Sequence, residues 1–528
     1  MSRPGQAPRL LVALSGVTAL VAVTPLAYLV IRVLDAGPEK IAASLLRSRT
    51  LTTTVTSVEL VLVVVAACLI IGVPVAWLLA RARLPFKGLW IVLAALPLAV
   101  PSYVAAYAWI AEFPAMSGFW AAALILTLVS MPYVIIPTTA ALRGIDPAME
   151  EVARSLGRKP LSAFWFAAMP QAWPAAAAGA LLVALYVLSD FGAVALFRVD
   201  AFTRAIYTSY RASFDRTSAA VLAVVLVLLA AILIYAERRV RGRSQRWRTG
   251  SGSARRAAEI DLTSRQRVLA VLALSALAIL SLGVPAFSLL RRLSEGTRRP
   301  LDLIELATAT ANSFGVSLLG SLLAVGLALS VGVLAARYRT KSSRVLEAVS
   351  YSGHALPGVV VGLSLVSLTL VVLPAMYQTV AALALAYAVL FLPKSIGATR
   401  TAVGMVPPVL EQTARTLGRG PLRAWLETTF RLSLPGIAAG GLLVLLTAMK
   451  ELPATLMLRP TGLDTLATEL WSRTEIAAYG AAAPYALTLI AVAAIPAWLL
   501  TWASERASRS ADGSTEAPTR TPLSTVGA

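Results

Sequence analysis

Residues 150–161 read EEVARSLGRKPL, and residues 411–422 read EQTARTLGRGPL. The two stretches align at a spacing of 411 − 150 = 261 residues. The same spacing pairs Pro132 with Pro393, Pro147 with Pro408, Gly157 with Gly418, Pro160 with Pro421, Pro174 with Pro435 and Gly179 with Gly440. It also sets Asp190 opposite Glu451. Nearer the N-terminus the spacing is 256, pairing Arg81 with Arg337 and Pro101 with Pro357. The difference of 261 − 256 = 5 residues is assigned to a loop near 112–118. A repeat covering most of both halves says that one structural unit is used twice.

The material between the matched residues is apolar. The 528 residues are 58% hydrophobic and only 14% charged, with a mean hydropathy of +0.76. Soluble domains carry about 25% charged residues, so this chain needs a lipid bilayer as solvent. Apolar stretches of about 20 residues, long enough to span, fall near 9–31, 57–80, 88–111, 119–138, 174–196 and 217–236. A second set falls near 268–290, 313–335, 347–371, 376–396, 434–457 and 482–502. The fold class expected is therefore all-α and integral to the membrane, with about 12 spans in two six-helix units. An even number of spans per unit gives both units one orientation, hence a pseudo-twofold axis along the membrane normal. The N-terminal apolar stretch exceeds the roughly 7–15 residues of a signal peptide's core, so it reads as a retained first helix.

The net charge of +21 does not indicate nucleic acid. Its Lys and Arg residues lie in short runs between apolar stretches, as orientation signals do. Segments 81–87, 142–159, 237–248, 336–344 and 399–423 share one side, which the positive-inside rule makes cytoplasmic together with both termini. The basic segment 291–300 falls on the other side and disagrees. The expected organisation is a first transmembrane domain at 1–236, a basic cytoplasmic linker at 237–267, a second transmembrane domain at 268–503 and a disordered tail at 504–528. The single cysteine, Cys68, reads as a packed small residue, and the single histidine, His354, as a polar group near a helix start. Whether any metal is bound is left open.

The repeated stretch itself reads as a short rigid helix. Asp146 suits an N-cap and Pro147 the first helical position. Glu150 and Arg154, like Glu411 and Arg415, are spaced i, i+4, each pair adding a few tenths of a kcal/mol. Gly157 and Gly418 supply a left-handed terminus, and Pro160 and Pro421 prevent continuation in the same direction.

This loop resembles the EAA loop of ATP-binding-cassette importer permeases, E-A-A-x-x-x-G. The match reads Glu151-Val152-Ala153 with Gly157 in the first copy, and Gln412-Thr413-Ala414 with Gly418 in the second. Gln412 replaces the acid, with Glu411 one residue earlier. The resemblance implies that Glu150, Glu151, Ala153, Gly157, Glu411, Gln412, Ala414 and Gly418 couple the chain to ATPase subunits. Two loops imply two such subunits, and a binding protein outside the membrane delivers the substrate. No G-x-x-x-x-G-K-[ST] phosphate loop occurs in the chain, so ATP is used by the partners. Segments 188–210 and 449–471, notably Asp190-Phe191-Gly192 and Lys450-Glu451-Leu452-Pro453-Ala454-Thr455, resemble ferric-iron importer permeases. Thiamine and aminoethylphosphonate importers have related permeases, and a secondary transporter is the rival of another class.

Asp190 and Glu451 are candidates for the translocation pathway. Each lies 16 residues after a proline taken to open its helix, roughly 24 Å along it. Alternatively each pairs with a base, Lys450, Arg198 or Arg459, and fastens helices together.

Overall fold

The computed structural model describes residues 7–145, 148–211, 216–244, 259–295, 302–338 and 340–494. Among them the secondary structure is helical, with one isolated bridge between Ala82 and Ile260. The first half comprises α1 (Arg9–Asp35), α2 (Ser48–Arg81), α3 (Lys87–Ala99), α4 (Ser102–Glu112), α5 (Phe119–Arg143), α6 (Ala148–Ser155), α7 (Phe164–Ser189), α8 (Phe202–Arg211) and α9 (Arg216–Ser244). The second comprises α10 (Ser264–Ser294), α11 (Leu303–Arg337), α12 (Lys341–Gly353), α13 (Gly358–Val371), α14 (Val380–Met405), α15 (Pro408–Thr416), α16 (Pro421–Ala448), α17 (Leu466–Glu475) and α18 (Tyr479–Ala494).

Nine helices among the described residues are long and apolar enough to cross a membrane, or up to 11 if each of two bent pairs counts as one span. Each expected apolar stretch coincides with a helix or a bent pair, except that those near 174–196 and 434–457 run past the ends of α7 at Ser189 and α16 at Ala448. The last, near 482–502, is described only as far as Ala494. The stretches expected near 88–111 and 347–371 are not straight. The chain turns by 95° between α3 and α4, and by 96° between α12 and α13. The cause is the matched prolines, because a proline drives the residue before it out of the helical region. Val100 has φ −87° and ψ 121°, and Leu356 has φ −97° and ψ 115°.

A second departure concerns α7 and α16. Pro174 and Pro435 do not open these helices but lie inside them. Each helix has a π-helical turn before its proline: α7 opens on Phe164–Ala168, and α16 carries Leu426–Phe430 after its first turn. Close packing replaces the missing hydrogen bonds as the source of cohesion, with glycine at the contacts. A Cβ on Gly179 would press into the Tyr133 backbone, and one on Gly440 into Ala398.

Equivalent bonds recur at equivalent places. The Phe202 N–H donates to Ser57 Oγ at 3.1 Å, and the Leu466 N–H donates to Ser313 Oγ at 2.8 Å. Ser57 and Ser313 are 256 residues apart.

The first long helix of each half packs on the other half. α1 lies against α11, α12 and α13. Thr18 donates to the Leu327 carbonyl at 3.0 Å and Tyr28 to the Ser367 carbonyl at 3.2 Å. Conversely, α10 lies against α3, α4 and α5. Its Arg291 pairs with Glu112 at 2.5 Å and with Glu295 at 2.7 Å, and Arg292 donates to the Ala111 carbonyl. These pairings neutralise the start of the basic segment that ran against the orientation signal.

The segment expected as a linker is helical up to Ser244. It reappears at Glu259, bound to the turn between α2 and α3. The Ile260 N–H donates to the Arg81 carbonyl at 2.7 Å, and its carbonyl accepts from Arg83 N at 3.1 Å. Glu259 pairs with Lys87 at 2.7 Å and Asp261 with Arg83 at 3.0 Å. Residues 245–258 and the tail 504–528 lie outside the described residues. Cys68 is buried, its Sγ 3.8 Å from the Thr127 carbonyl, and the side chain of His354 lies outside the described residues.

Candidate functional site

The two copies of the repeated stretch fold alike. α6 and α15 each end on a glycine with left-handed backbone, Gly157 at φ +87° and Gly418 at φ +83°. The terminal bonds also match. Gly157 N donates to Arg154 O at 2.9 Å and Arg158 N to Ala153 O at 3.2 Å; Gly418 N donates to Arg415 O at 3.0 Å and Arg419 N to Ala414 O at 3.1 Å. This is the double-bonded terminus that satisfies the last carbonyls of a helix. Asp146 and Pro147, expected to start α6, lie outside the described residues.

The acids at the front of each copy divide into two kinds. Glu150 pairs with Arg81 at 2.9 Å, and the Arg81 side chain is only 4% exposed. Glu151, one residue on, is exposed. In the second copy Glu411 pairs with Arg415 at 2.5 Å and accepts from Thr429 Oγ1 at 3.3 Å. Arg337 in turn donates to Thr429 Oγ1 at 3.3 Å. Gln412 is exposed. The inward position is thus Glu150 or Glu411, facing the matched arginines, and the outward one is Glu151 or Gln412. Ala153 is buried against Ala163 and Ala167, while Ala414 is half-buried.

One residue missed in the sequence completes each copy. Leu156 is 79% exposed and Leu417 is 78% exposed, each directly before its glycine. The signal was available, since a leucine recurs at the same place in an otherwise polar loop.

Asp190 and Glu451 sit at the elbows where the bent spans turn. Asp190 follows the last residue of α7 and receives Ser102 Oγ, the first residue of α4. It also accepts from the N–H groups of Ala193 at 3.0 Å and Val194 at 3.4 Å. Glu451 accepts from the Ala454 N–H at 3.2 Å, and its carboxylate lies where a Cβ on Gly358 would sit. Gly358 opens α13 and is the repeat mate of Ser102, 256 residues on. An aspartate with a serine in one half thus corresponds to a longer glutamate with a glycine in the other. Peptide N–H groups at the starts of short helices favour a carboxylate in place of a basic partner. Among the described residues neither acid forms an ion pair. Of the three bases considered, Lys450 donates to the Ala99 carbonyl at 3.1 Å and Arg459 pairs with Asp464. The structure brings each acid to its own elbow.

The halves meet beside these elbows. Tyr107 donates to the Tyr479 carbonyl at 2.6 Å, and the rings of Phe191 and Trp471 lie 5.1 Å apart. Lys450, from the second half, reaches the first half's elbow through the Ala99 bond just described.

Comparison with known proteins agrees with this double layout. The family described as binding-protein-dependent transport system inner membrane component matches twice, at residues 71–243 and 328–509. The chain is 34% identical over 478 residues to the Fe(3+)-transport system permease protein FbpB 2 of Haemophilus influenzae, covering 90% of this chain and 94% of that one. It is 29% identical to the molybdenum transport system permease protein ModB of Mycobacterium bovis, over 32% of this chain and 70% of that one. It is 27% identical to the sulfate transport system permease protein CysT of Salmonella typhimurium, over 31% of this chain and 67% of that one.

Proposed function

Since the chain belongs to the family of binding-protein-dependent transport system inner membrane components, we propose that it carries ferric iron inward between its two halves, driven by separate ATPase subunits. It is the permease subunit of an ATP-binding-cassette importer, a multi-pass protein of the inner membrane. Iron is favoured as substrate because the relative named for Fe(3+) transport is matched along 94% of its length. The molybdenum and sulfate relatives are matched along about a third of this chain.

The observation that carries the mechanism is the pair of short helices α6 and α15. Each is stiffened by a bonded terminus, tied to the bundle at its front acid, and capped by an exposed leucine. In this reading they are the levers that two ATPase subunits grip, one each, on the cytoplasmic side. Both termini lie on that side, and the chain crosses 12 times as two parallel six-helix units about a pseudo-twofold axis. A loaded binding protein docks on the opposite face. ATP closes the ATPases, the levers approach, and the halves rock apart outward; hydrolysis returns them. ATP shifts this equilibrium only because it binds the two states unequally. Asp190 and Glu451 serve as fasteners of the elbows in the pathway wall, where a charge costs about 2.5–3.5 kcal/mol on insertion scales unless bonded.

The test is uptake of isotopically labelled iron into liposomes that contain the chain with its ATPase and are loaded with ATP, with the binding protein outside. Uptake should require hydrolysable ATP and survive a protonophore. Uptake without ATP that collapses with the protonophore would make the protein a secondary transporter instead.

A further inference from the structure

On the face proposed to be outer, a cavity of about 360 Å³ opens between the halves. Among the described residues its charged lining is Arg211 from the first half and Arg459 and Asp464 from the second, an excess of one positive charge. Arg211, at the end of α8, donates to the Tyr207 hydroxyl at 2.7 Å and lies 6.0 Å from the centre of that ring. Arg459 pairs with Asp464. Burial holds the Arg459 guanidinium below its ordinary range, and the charge of Arg211 across the cavity adds to that. Tyr207, Tyr210 and Tyr377 complete the wall. Glu475, an acid near Arg211, lines a neighbouring cavity on the far side of Tyr207.

Like charges from two separable bodies, facing one another in a half-buried space, are stabilised by whatever negative group bridges them. Guanidinium forks are suited to oxyanions and carboxylates, and phenol hydroxyls add donors. Along the same seam a further cation, Lys450, crosses between halves, with Lys394 near enough to repel it. The acids of the elbows, Asp190 and Glu451, are engaged by peptide N–H groups. A bare trivalent cation entering this route would meet like charge first.

We propose that the cavity between Arg211 and Arg459 binds an anion, and that the transported metal enters held in an anionic complex. The inference rests on the importer reading and narrows its substrate: iron crosses the outer mouth sheathed in anionic ligands. Because one anion touches both halves, it also favours the state in which the outer mouth is closed.

The purified full chain, freed of phosphate, is dialysed against inorganic phosphate, ferric citrate and calcium in parallel. Both anionic probes should be retained and calcium should not. Arg211→Gln should weaken retention at least tenfold, and Arg211→Lys should restore most of it, with unchanged size-exclusion profiles. Failure of the unaltered chain to retain either anion, or equal retention by Arg211→Gln, overturns the proposal. Retention of ferric citrate supports a complexed metal as the substrate, whereas retention of phosphate alone would overturn the iron complex. Dialysis involves no ATP, so it decides the anion site independently. Loss of ATP-dependent uptake in the unaltered transporter would instead overturn the importer reading.

Discussion

At the scale of single residues, the two copies of one motif are held unequally. Glu150 meets an arginine that is almost fully covered, and removing one partner of such a pair leaves an uncompensated charge, at a cost of about 3–5 kcal/mol. Glu411 has an exposed partner in Arg415 and reaches Arg337 only through Thr429, a combination worth about 1 kcal/mol or less. Glu150→Ala should therefore lower the melting temperature of the purified chain clearly more than Glu411→Ala. Equal shifts would show that Arg81 finds another partner. The elbows offer a sharper test. A side chain on Gly358 would run into Glu451, so Gly358→Ser alone should reduce folded yield severely. Adding Glu451→Asp recreates the Ser102–Asp190 pair of the other half and should recover most of that yield, read by fluorescence-detected size exclusion. Asp190 and Glu451 were legible as a matched pair of acids from the repeat. Their partners were not, because Ser102 and Gly358 differ in chemistry and only the fold shows that one acid's extra length fills the other's missing side chain.

At the scale of elements, the short helices α6 and α15 depend on their glycine termini. A Cβ on Gly157 or Gly418 would meet nothing within 4 Å, so Gly157→Ala is strained by the backbone alone, by about 1–2 kcal/mol. Uptake should survive it, slowed a few-fold. Gly157→Pro cannot take a positive φ and removes the bond to Arg154. It should uncouple ATP hydrolysis from uptake or release the ATPase on co-purification, and full coupled transport would contradict the lever assignment. The strap at Glu259–Asp261 behaves differently. The hydrogen bond from Lys87 holds the Glu259 carboxyl below its ordinary range. A depressed carboxyl contributes stability that is complete above its unfolded value, about 4.3, and is lost as pH falls through the folded one. A spin label at Leu262→Cys should therefore stay immobile at neutral pH and loosen below about pH 4. It should also loosen in molar salt, since these pairs are exposed. The bends in the spans were half legible: the prolines are plain in the sequence, but a proline can kink, start or merely sit within a helix. Pro174 and Pro435 sit within theirs, whereas Pro101 and Pro357 turn the chain.

At the scale of the whole molecule, the halves are joined by more than their connector. α1 and α10 each cross to the opposite half, so a protease site inserted after Gly252 and then cut should leave both fragments co-purifying in detergent. Separation on cutting would mean that these contacts are too weak to hold the halves. Arg81 links several parts at once. Its side chain holds α6, and its carbonyl accepts from the strap that leads into the second half. A continuous path of contacts therefore runs from α6 through the strap to the start of α10, which packs on the first half's bent span.

The membrane class, the twofold use of one unit, and the position and termini of the two short helices were determined by the sequence alone. Hydropathy, spacing and the backbone freedom of glycine are local properties, written in consecutive residues. The crossing of α1 and α10, the docking of Glu259–Asp261 and the meeting of Arg211 with Arg459 were decided only by the tertiary structure. Each depends on which surfaces come together across some hundred or more residues of chain, and an apolar helix shows lipid and a neighbouring helix the same face.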